Sequence, residues 1–179
     1  VGGTGKTPIT KKIAQYFMDQ GFHPGIVSRG YKRLSKGTVR VCNGKTILSS
    51  IEECGDEPYL LAKMLGMKVP IVVSNNKAHA IHKIQEDYKV NIVLIDDGFK
   101  SFYTEAWPYL KANKIPFILF VSTEPVGKNG YMNWDQIKEV EQSDFGYIGH
   151  HSHTHEYLID MNEQDFVNDL SLIHISEPT

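Results

Sequence analysis

The chain has 179 residues, a net charge of −2 and 41% hydrophobic residues, which is typical of a globular protein with a proper core. The near-neutral charge argues against a general nucleic-acid binder, whose surface would be basic. Cys42 and Cys54 have no CxxC spacing, so they predict reduced thiols rather than a disulfide framework or a thiolate zinc site. The longest apolar runs, "VNIVLI" and "IPFILFV", are far shorter than the ~20 residues of a membrane-spanning helix.

Helical and extended segments alternate along the chain. Apolar side chains at Ile9, Ile13, Tyr16 and Phe17 recur at helical spacing and predict a helix over 8–20. The other predicted helices span 57–65, 77–88, 103–112 and 133–142. The predicted strands span 25–28, 69–74, 90–96, 116–122 and 145–150. Because these strands are continuously apolar, we predict an α/β fold with a mostly parallel sheet and flanking helices on both faces.

The stretch "GGTGKTP" (2–8) opens the first helix. Small glycines let backbone N–H groups converge on phosphate oxygens, and the positive end of the helix dipole adds to this attraction. In such a loop the lysine reaches the β- and γ-phosphates and the threonine hydroxyl binds Mg²⁺. A glycine-rich turn before a helix is the structural alternative, but GKT directly before an amphipathic helix favours nucleotide binding. The candidate nucleotide-binding residues are Gly2, Gly3, Thr4, Gly5, Lys6 and Thr7, with Thr7 also a metal ligand.

Three further motifs follow in order, namely "VSRGYKR" (27–33), "GDEPYLLAK" (55–63) and "VLIDDGF" (93–99). Together with the phosphate loop they resemble the tetraacyldisaccharide 4'-kinases, the lipid A kinases of Gram-negative bacteria. The resemblance covers residues 1–99 and implies a P-loop-type first half. It implies that ATP and Mg²⁺ are bound and that the γ-phosphate passes to the 4'-hydroxyl of a lipid disaccharide. Alone, "GDEP" would be an acidic first turn of a helix.

The kinase resemblance also implies roles for individual side chains. Asp56 would be the base toward the sugar hydroxyl, with Glu57 beside it near the metal. Asp96 and Asp97 would be an acidic pair near Mg²⁺ at the end of a strand, where ligands gather in open α/β sheets. Arg29 would contact phosphate or the anionic groups of the lipid.

Some of the kinase pattern is missing from this sequence. The chain begins inside the phosphate loop and lacks the C-terminal lobe of the family, and Lys77 stands where the family usually has arginine. We therefore expect a fragment that binds ATP but turns over poorly, because phosphoryl transfer needs positioning and charge neutralisation from many sides.

From Asp96 onward the motifs change. "KSFYTEAWPYLKANKIPFILFVST", "GYMNWDQIKEV" and "GHHSHTHEYL" resemble the NodB-like polysaccharide deacetylases over residues 96–169. The resemblance implies a metal-activated water that attacks an acetyl carbonyl, with Asp96 as its base. Asp97, His151 and His155 would bind Zn²⁺ or a similar divalent metal with one position open for water, as in catalytic zinc sites. For "HHSHTH" alone, a solvated histidine-rich loop is the structural alternative.

We predict a chimera of two partial domains that share one strand, because sequences of both families have "DDGF" after an apolar strand. The first is a partial P-loop kinase-like domain over 1–99, and the second is a partial, incomplete (β/α) deacetylase-like domain over 96–169. The last residues, "LSLIHISEPT" (170–179), resemble a translated sequencing adapter. We expect them to be an artefactual tail and exclude them from reasoning about the fold.

Three functions remain open at this point. The first is a 4'-kinase acting on a tetraacyldisaccharide lipid A precursor. The second is a metal-dependent deacetylase of polysaccharide or chitooligosaccharide, and the third is a non-catalytic fragment that binds ATP or metal. The kinase resemblance implies the cytoplasmic face of the inner membrane with peripheral membrane association, whereas deacetylases of this type act outside the cytoplasm. The expected partner is the lipid A disaccharide precursor or an acetylated polysaccharide, and not a nucleic acid.

Overall fold

One six-stranded sheet runs through the chain. The computed structural model describes residues 6–30, 32–95, 98–150, 153–154, 162, 164–165 and 167–169. The strands are β1 (Pro24–Ser28), β2 (Val39–Asn43), β3 (Pro70–Val73), β4 (Ile92–Ile95), β5 (Phe117–Val121) and β6 (Gly146–His150). The helices are α1 (Lys6–Asp19), α2 (Ile51–Cys54), α3 (Asp56–Met64), α4 (Lys77–Tyr88), α5 (Trp107–Asn113) and α6 (Trp134–Glu141), and a π-helical segment (Phe102–Ala106) leads directly into α5.

The strand order across the sheet is β2-β3-β1-β4-β5-β6. Every neighbouring pair is parallel except β2 and β3, which are antiparallel. In the middle of the sheet Ile26 of β1 pairs with Ile71 of β3 on one side and Leu94 of β4 on the other. The predicted α/β class with a mostly parallel sheet is therefore confirmed.

Helices cover both faces of the sheet, because the central strands are apolar on both sides. All four residues of β4 are buried. Leu94 joins a core cluster with residues of α1 and α3, whereas Val93 and Ile95 join the opposite cluster, which contains residues of α4, α5 and α6. From β4 onward each strand is the sheet neighbour of the next strand in the chain, and the helices between them pack on this second face.

Local signals explain the helix ends. The Asn76 side chain accepts a hydrogen bond from the backbone N–H of His79 at 2.8 Å and caps α4. Asn133 and Gln136 form a reciprocal capping box at the start of α6. Gly21 follows α1 with φ 81, a left-handed conformation that glycine adopts without strain. The prediction of 77–88 for α4 is confirmed to the residue.

Two features of the fold were not predicted from periodicity. The apolar spacing in α1 does not show which side chains are buried: Ile9 and Tyr16 are 51% and 60% exposed, whereas Ala14 is fully buried. Strand β2 was not predicted, because its sequence "VRVCN" is short and interrupted by a charge.

Candidate functional site

The parallel strands all end at one edge of the sheet, here called the carboxyl edge. Arg29 and Ser74 directly follow β1 and β3 at this edge, and Gly98 is the first described residue after β4. Strands β5 and β6 end at the same edge, at Val121 and His150. Ligands of open α/β sheets bind outside the carboxyl ends of the strands, so this edge is where the predicted residues should meet.

Helix α1 brings the end of the phosphate loop to this edge. The helix packs against β1 and α3 and leads from Lys6 back to the start of β1 at Pro24. It therefore runs antiparallel to β1, and its first turn lies at the carboxyl edge. The side chains of Lys6 and Thr7 are outside the described part of the structure. The same holds for all of Gly2, Gly3, Thr4 and Gly5, so the phosphate loop stays a prediction.

Asp56 and Glu57 form the first turn of α3, close to the end of β1. Gly30, which follows β1, packs closely against the segment before α3, since a Cβ on Gly30 would lie 2.6 Å from the Cys54 carbonyl oxygen. Gly30 also has φ 70, so glycine is required there for two reasons. Gly55 precedes α3 with φ 94 and provides no side-chain cap. The exposed Asp56 therefore stands at the amino end of a helix, at the same edge of the sheet as the first turn of α1.

A basic cleft of about 470 Å³ opens at the carboxyl edge. Its cations are Arg29, Lys77 and Lys100, and the Arg29 guanidinium lies 5.2 Å from the centre of the Phe99 ring. The Phe99 and Tyr131 rings are 4.9 Å apart. No carboxylate lines the cleft among the residues that the structure describes. Sequence reasoning named Arg29 as a phosphate contact and missed Lys100 and Tyr131, for which no motif exists.

A second cavity of about 530 Å³ lies at the opposite edge of the sheet. Its lining includes Pro24 and Pro70, the first residues of β1 and β3, together with Lys45 and Asp87. None of the predicted site residues that the structure describes lines this cavity. We therefore take the carboxyl edge as the candidate site.

The segment after β6 is tied to β5 and to a distant aspartate. The Glu124 N–H donates to the His153 carbonyl at 2.9 Å, and Thr123 Oγ1 lies 2.7 Å from His153 Nδ1. Asp169 accepts hydrogen bonds from the backbone N–H of His153 at 2.9 Å and of Thr154 at 2.8 Å, and from Thr154 Oγ1 at 2.8 Å. Burial raises the pKa of the Asp169 carboxyl, but the bonds from Thr154 and His153 outweigh it and hold that pKa below its ordinary value. Sequence reasoning passed over both His153 and Asp169.

The remaining predicted residues are not described. Asp96, Asp97, His151 and His155 lie outside the described residues, so their roles as base and metal ligands stay predictions. Within the described ranges no group of three or more His, Cys, Asp or Glu side chains could hold a metal ion. Cys42 and Cys54 are both buried free thiols.

Two protein families match overlapping parts of the chain. The Tetraacyldisaccharide-1-P 4'-kinase family matches residues 1–103, and the Polysaccharide deacetylase family matches residues 83–172. The chain belongs to the first family in its first part and to the second in its second part. Both resemblances, and the expectation that the chain combines them, are thereby confirmed. The domain boundaries stay a prediction, since the two matches overlap over 83–103.

Curated relatives of the first part are named tetraacyldisaccharide 4'-kinase. The protein from Desulfotalea psychrophila is 36% identical over 142 residues, which cover 78% of this chain and 38% of the relative. The protein from Francisella philomiragia is 38% identical over 103 residues, which cover 57% and 31%. The crystal structure of LpxK from Aquifex aeolicus in complex with ATP is 30% identical, with a TM-score of 0.52, and covers 78% of this chain and 42% of that one. The chain thus spans about a third of the length of these curated relatives.

The described helices are short. None of them is long and apolar enough to cross a membrane.

Proposed function

We propose that the first part of the chain binds ATP with Mg²⁺ and carries the phosphoryl-transfer site for the 4'-hydroxyl of a tetraacyldisaccharide lipid A precursor. The observation that carries this proposal is the match of residues 1–103 to the kinase family. It is supported by a relative with 30% identity that was crystallised with ATP. The inner face of the cytoplasmic membrane, where such a lipid would be reached from the cytoplasm, is the proposed location.

The phosphate groups of ATP would meet the start of α1. Backbone N–H groups of Gly2 to Gly5 and the first turn of the helix would donate hydrogen bonds to phosphate oxygens, and the helix dipole favours negative charge at that end. The Lys6 ammonium would neutralise the β- and γ-phosphates. The Thr7 hydroxyl and the carboxylates of Glu57 and Asp97 would provide the oxygen ligands that suit Mg²⁺.

Asp56 is the proposed base for the sugar hydroxyl. It is exposed and stands in the first turn of α3, so a substrate could approach it from solvent. Gly30 lets the segment before α3 pack close to the end of β1, and α1 packs against α3. The first turns of α1 and α3 therefore lie at the same edge of the sheet. This arrangement suits a reaction in which the phosphate donor and the acceptor hydroxyl must be held together.

ATP binding is the first test of this proposal. Lys6→Ala should weaken Mg²⁺-dependent ATP binding at least tenfold, measured by calorimetry, because a charge-assisted contact to phosphate is lost. Lys12→Ala, an exposed lysine on the same helix, is the matched control and should leave binding unchanged. Equal affinities in the parent chain and in Lys6→Ala would overturn the proposed phosphate loop.

Phosphate transfer is tested separately, with radiolabelled ATP and a tetraacyldisaccharide acceptor. If the parent chain shows measurable transfer, Asp56→Asn should lower it by roughly 10² to 10⁴ without weakening ATP binding. An Asp56→Asn variant as active as the parent would remove Asp56 as the base. ATP binding without any transfer would favour the third alternative, a non-catalytic fragment.

We infer a second candidate function, a metal-dependent deacetylase, for the second part. The observation that favours it is the family match over 83–172. One carboxylate and two imidazoles, from Asp97, His151 and His155, are a donor set that fits Zn²⁺. When bound, the metal would activate a water molecule. Asp96 would take the proton of that water.

Zinc stoichiometry tests this second candidate. The parent chain should bind one Zn²⁺ per chain, and the double variant His151→Ala with His155→Ala should lose it. His82→Ala, an exposed histidine on α4, is the control and should keep the metal. One zinc per chain in the double variant would contradict the proposed ligands. An acetylated polysaccharide outside the cytoplasm is the substrate class that this function implies.

A further inference from the structure

The carboxylate of Asp169 is the most enclosed acidic group of the second part that the structure describes. It is 3% exposed, although aspartate is rarely buried unless its oxygens are satisfied. Both oxygens accept hydrogen bonds from one short turn: Oδ1 from the N–H and Oγ1 of Thr154, and Oδ2 from the N–H of His153. A charged acceptor makes each of these bonds stronger than its neutral equivalent.

The same turn is also held by Thr123 and Glu124, in the segment that follows β5. The His153 carbonyl accepts a hydrogen bond from the Glu124 N–H. Nδ1 of the His153 imidazole is hydrogen-bonded to Thr123 Oγ1. The two residues of the turn are thus fixed through two N–H groups, one carbonyl, one hydroxyl and one imidazole. Such a set of contacts leaves little freedom to the backbone of His153 and Thr154.

We propose that Asp169 is a positioning residue that sets the metal affinity of the histidine motif. His151 lies two residues before the turn in the sequence and His155 one residue after it, so the proposed ligands flank the two residues that Asp169 holds. The inference rests on the proposed deacetylase function, which assigns His151 and His155 as ligands. Groups that orient metal ligands without touching the metal typically change metal affinity by 10–100-fold when they are removed.

The contacts predict a graded series of variants. Asp169→Ala removes all three acceptor contacts. Asp169→Asn retains an Oδ1 that can accept both bonds from Thr154 and loses only the bond from His153. Thr154→Val removes the hydroxyl bond and leaves both N–H bonds. Asp165→Asn is the matched control, because Asp165 is exposed on the same segment and forms hydrogen bonds with Asn162.

The first measurement is amide hydrogen exchange of the full chain without metal. Asp169→Ala should lose the protection of the His153 and Thr154 amides, Asp169→Asn should lose that of His153 alone, and Asp165→Asn should lose neither. Unchanged protection at Trp107, in the core, would show that the variants fold. Unchanged exchange at the turn in a folded Asp169→Ala chain would overturn the proposal.

The second measurement is zinc affinity by competition with a chelating dye. Zinc Kd should rise tenfold or more in Asp169→Ala, less in Asp169→Asn, and stay unchanged in Asp165→Asn. Faster exchange with an unchanged zinc Kd would limit Asp169 to a structural role and overturn the inference. A parent chain that binds no zinc would instead overturn the deacetylase function itself, and the inference with it, so the two failures are distinguishable.

Discussion

Substitution of Phe117 tests whether the two parts of the chain unfold as one cooperative unit. It is fully buried in β5, and its ring packs against Phe102, Trp107 and Phe145 at centroid distances of 5.6, 6.1 and 6.3 Å. The same core cluster contains Val27 of β1, from the part of the chain that only the kinase family matches. We predict that Phe117→Ala destabilises both parts together.

The expected size follows from burial. Phe→Ala substitutions in cores cost about 3–5 kcal/mol through lost transfer energy and the cavity left behind. A urea m-value of about 2 kcal/mol/M is within the range for small proteins. The unfolding midpoint should therefore fall by about 2 M. Tyr147, which is 62% exposed on the neighbouring strand β6, provides the control Tyr147→Ala, and its midpoint should stay within about 0.3 M of the parent, because surface changes are usually within ±0.5 kcal/mol.

Two probes report on different parts of the chain. The two tryptophans are Trp107 and Trp134, so tryptophan fluorescence follows the second part, whereas far-UV circular dichroism follows the whole sheet. ATP at 100 times its Kd should stabilise the folded state by about 2.7 kcal/mol. If the sheet is one cooperative unit, ATP should shift the fluorescence midpoint by about 1.3 M even though both tryptophans lie outside the proposed phosphate loop.

Two results would refute this reasoning. A midpoint lowered by less than 0.5 M in Phe117→Ala, on the order of the usual effect of a surface change, would mean that the ring is not packed as the structure shows. Fluorescence and circular dichroism transitions that separate, with ATP shifting only the latter, would mean that the two parts unfold independently. The Phe117→Ala measurement uses no nucleotide, so it stands even if ATP does not bind.

Two further predictions concern packing and pH. Hydrogen bonds from Tyr103 and Lys111 help to lower the pKa of the Glu139 carboxyl to about 2 from its ordinary 4.5. The stabilisation is present above pH 4.5 and is lost as pH falls through about 2. Glu139→Gln should therefore lower Tm at pH 7, and the difference from the parent should vanish toward pH 2. In Gly25→Ala the new Cβ would meet Val90 Cγ2 at 2.8 Å, so the free energy of unfolding should fall by about 1–3 kcal/mol, measured in urea. A more stable Gly25→Ala chain would contradict this packing.

The sequence predicts the sheet well because its central strands are apolar on both faces. The continuous apolar run that predicts a strand over 90–96 contains β4, which is fully buried, and helix α4 has the predicted bounds. Strand β2 was missed because an edge strand is only half buried and alternates with charge. Apolar spacing also predicts a helix without showing which of its apolar side chains are buried, and Ile9 and Tyr16 of α1 are exposed.

For the candidate site, the sequence predicts side chains with a chemical role but not those that position other residues. Motifs name side chains that react, so they point to Asp56 and to the histidines. They are silent on side chains that only hold others in place. Asp169 is such a case, because it is far from the turn in sequence and meets it only through the fold. The basic cleft is another, since Lys100 and Arg29 come together only because β1 and β4 are neighbours.

Both family matches include strand β4, and both proposed functions use the two aspartates that follow it. The kinase match reaches residue 103 and the deacetylase match begins at 83, so both contain β4 and the aspartates after it. The proposed kinase function places Asp96 and Asp97 near Mg²⁺, which prefers octahedral oxygen ligands. The proposed deacetylase function places Asp97 on a tetrahedral zinc with two imidazoles. If both proposals hold, one carboxylate pair would have to meet two different geometries.

Zinc and Mg²⁺-ATP should therefore exclude each other. With zinc bound at one equivalent, the apparent ATP Kd should rise at least tenfold, because Asp97 would no longer be available as a ligand of the Mg²⁺ that ATP binding requires. Calorimetric titration of ATP with and without zinc measures this. The double variant His151→Ala with His155→Ala is the control, since it should bind ATP equally well under both conditions and it accounts for zinc that binds ATP directly. A parent chain that holds both ligands with undiminished affinity would mean that Asp96 and Asp97 serve only one of the two sites. Variants of Asp97 alone would then identify which site it is, because only one of the two affinities would change.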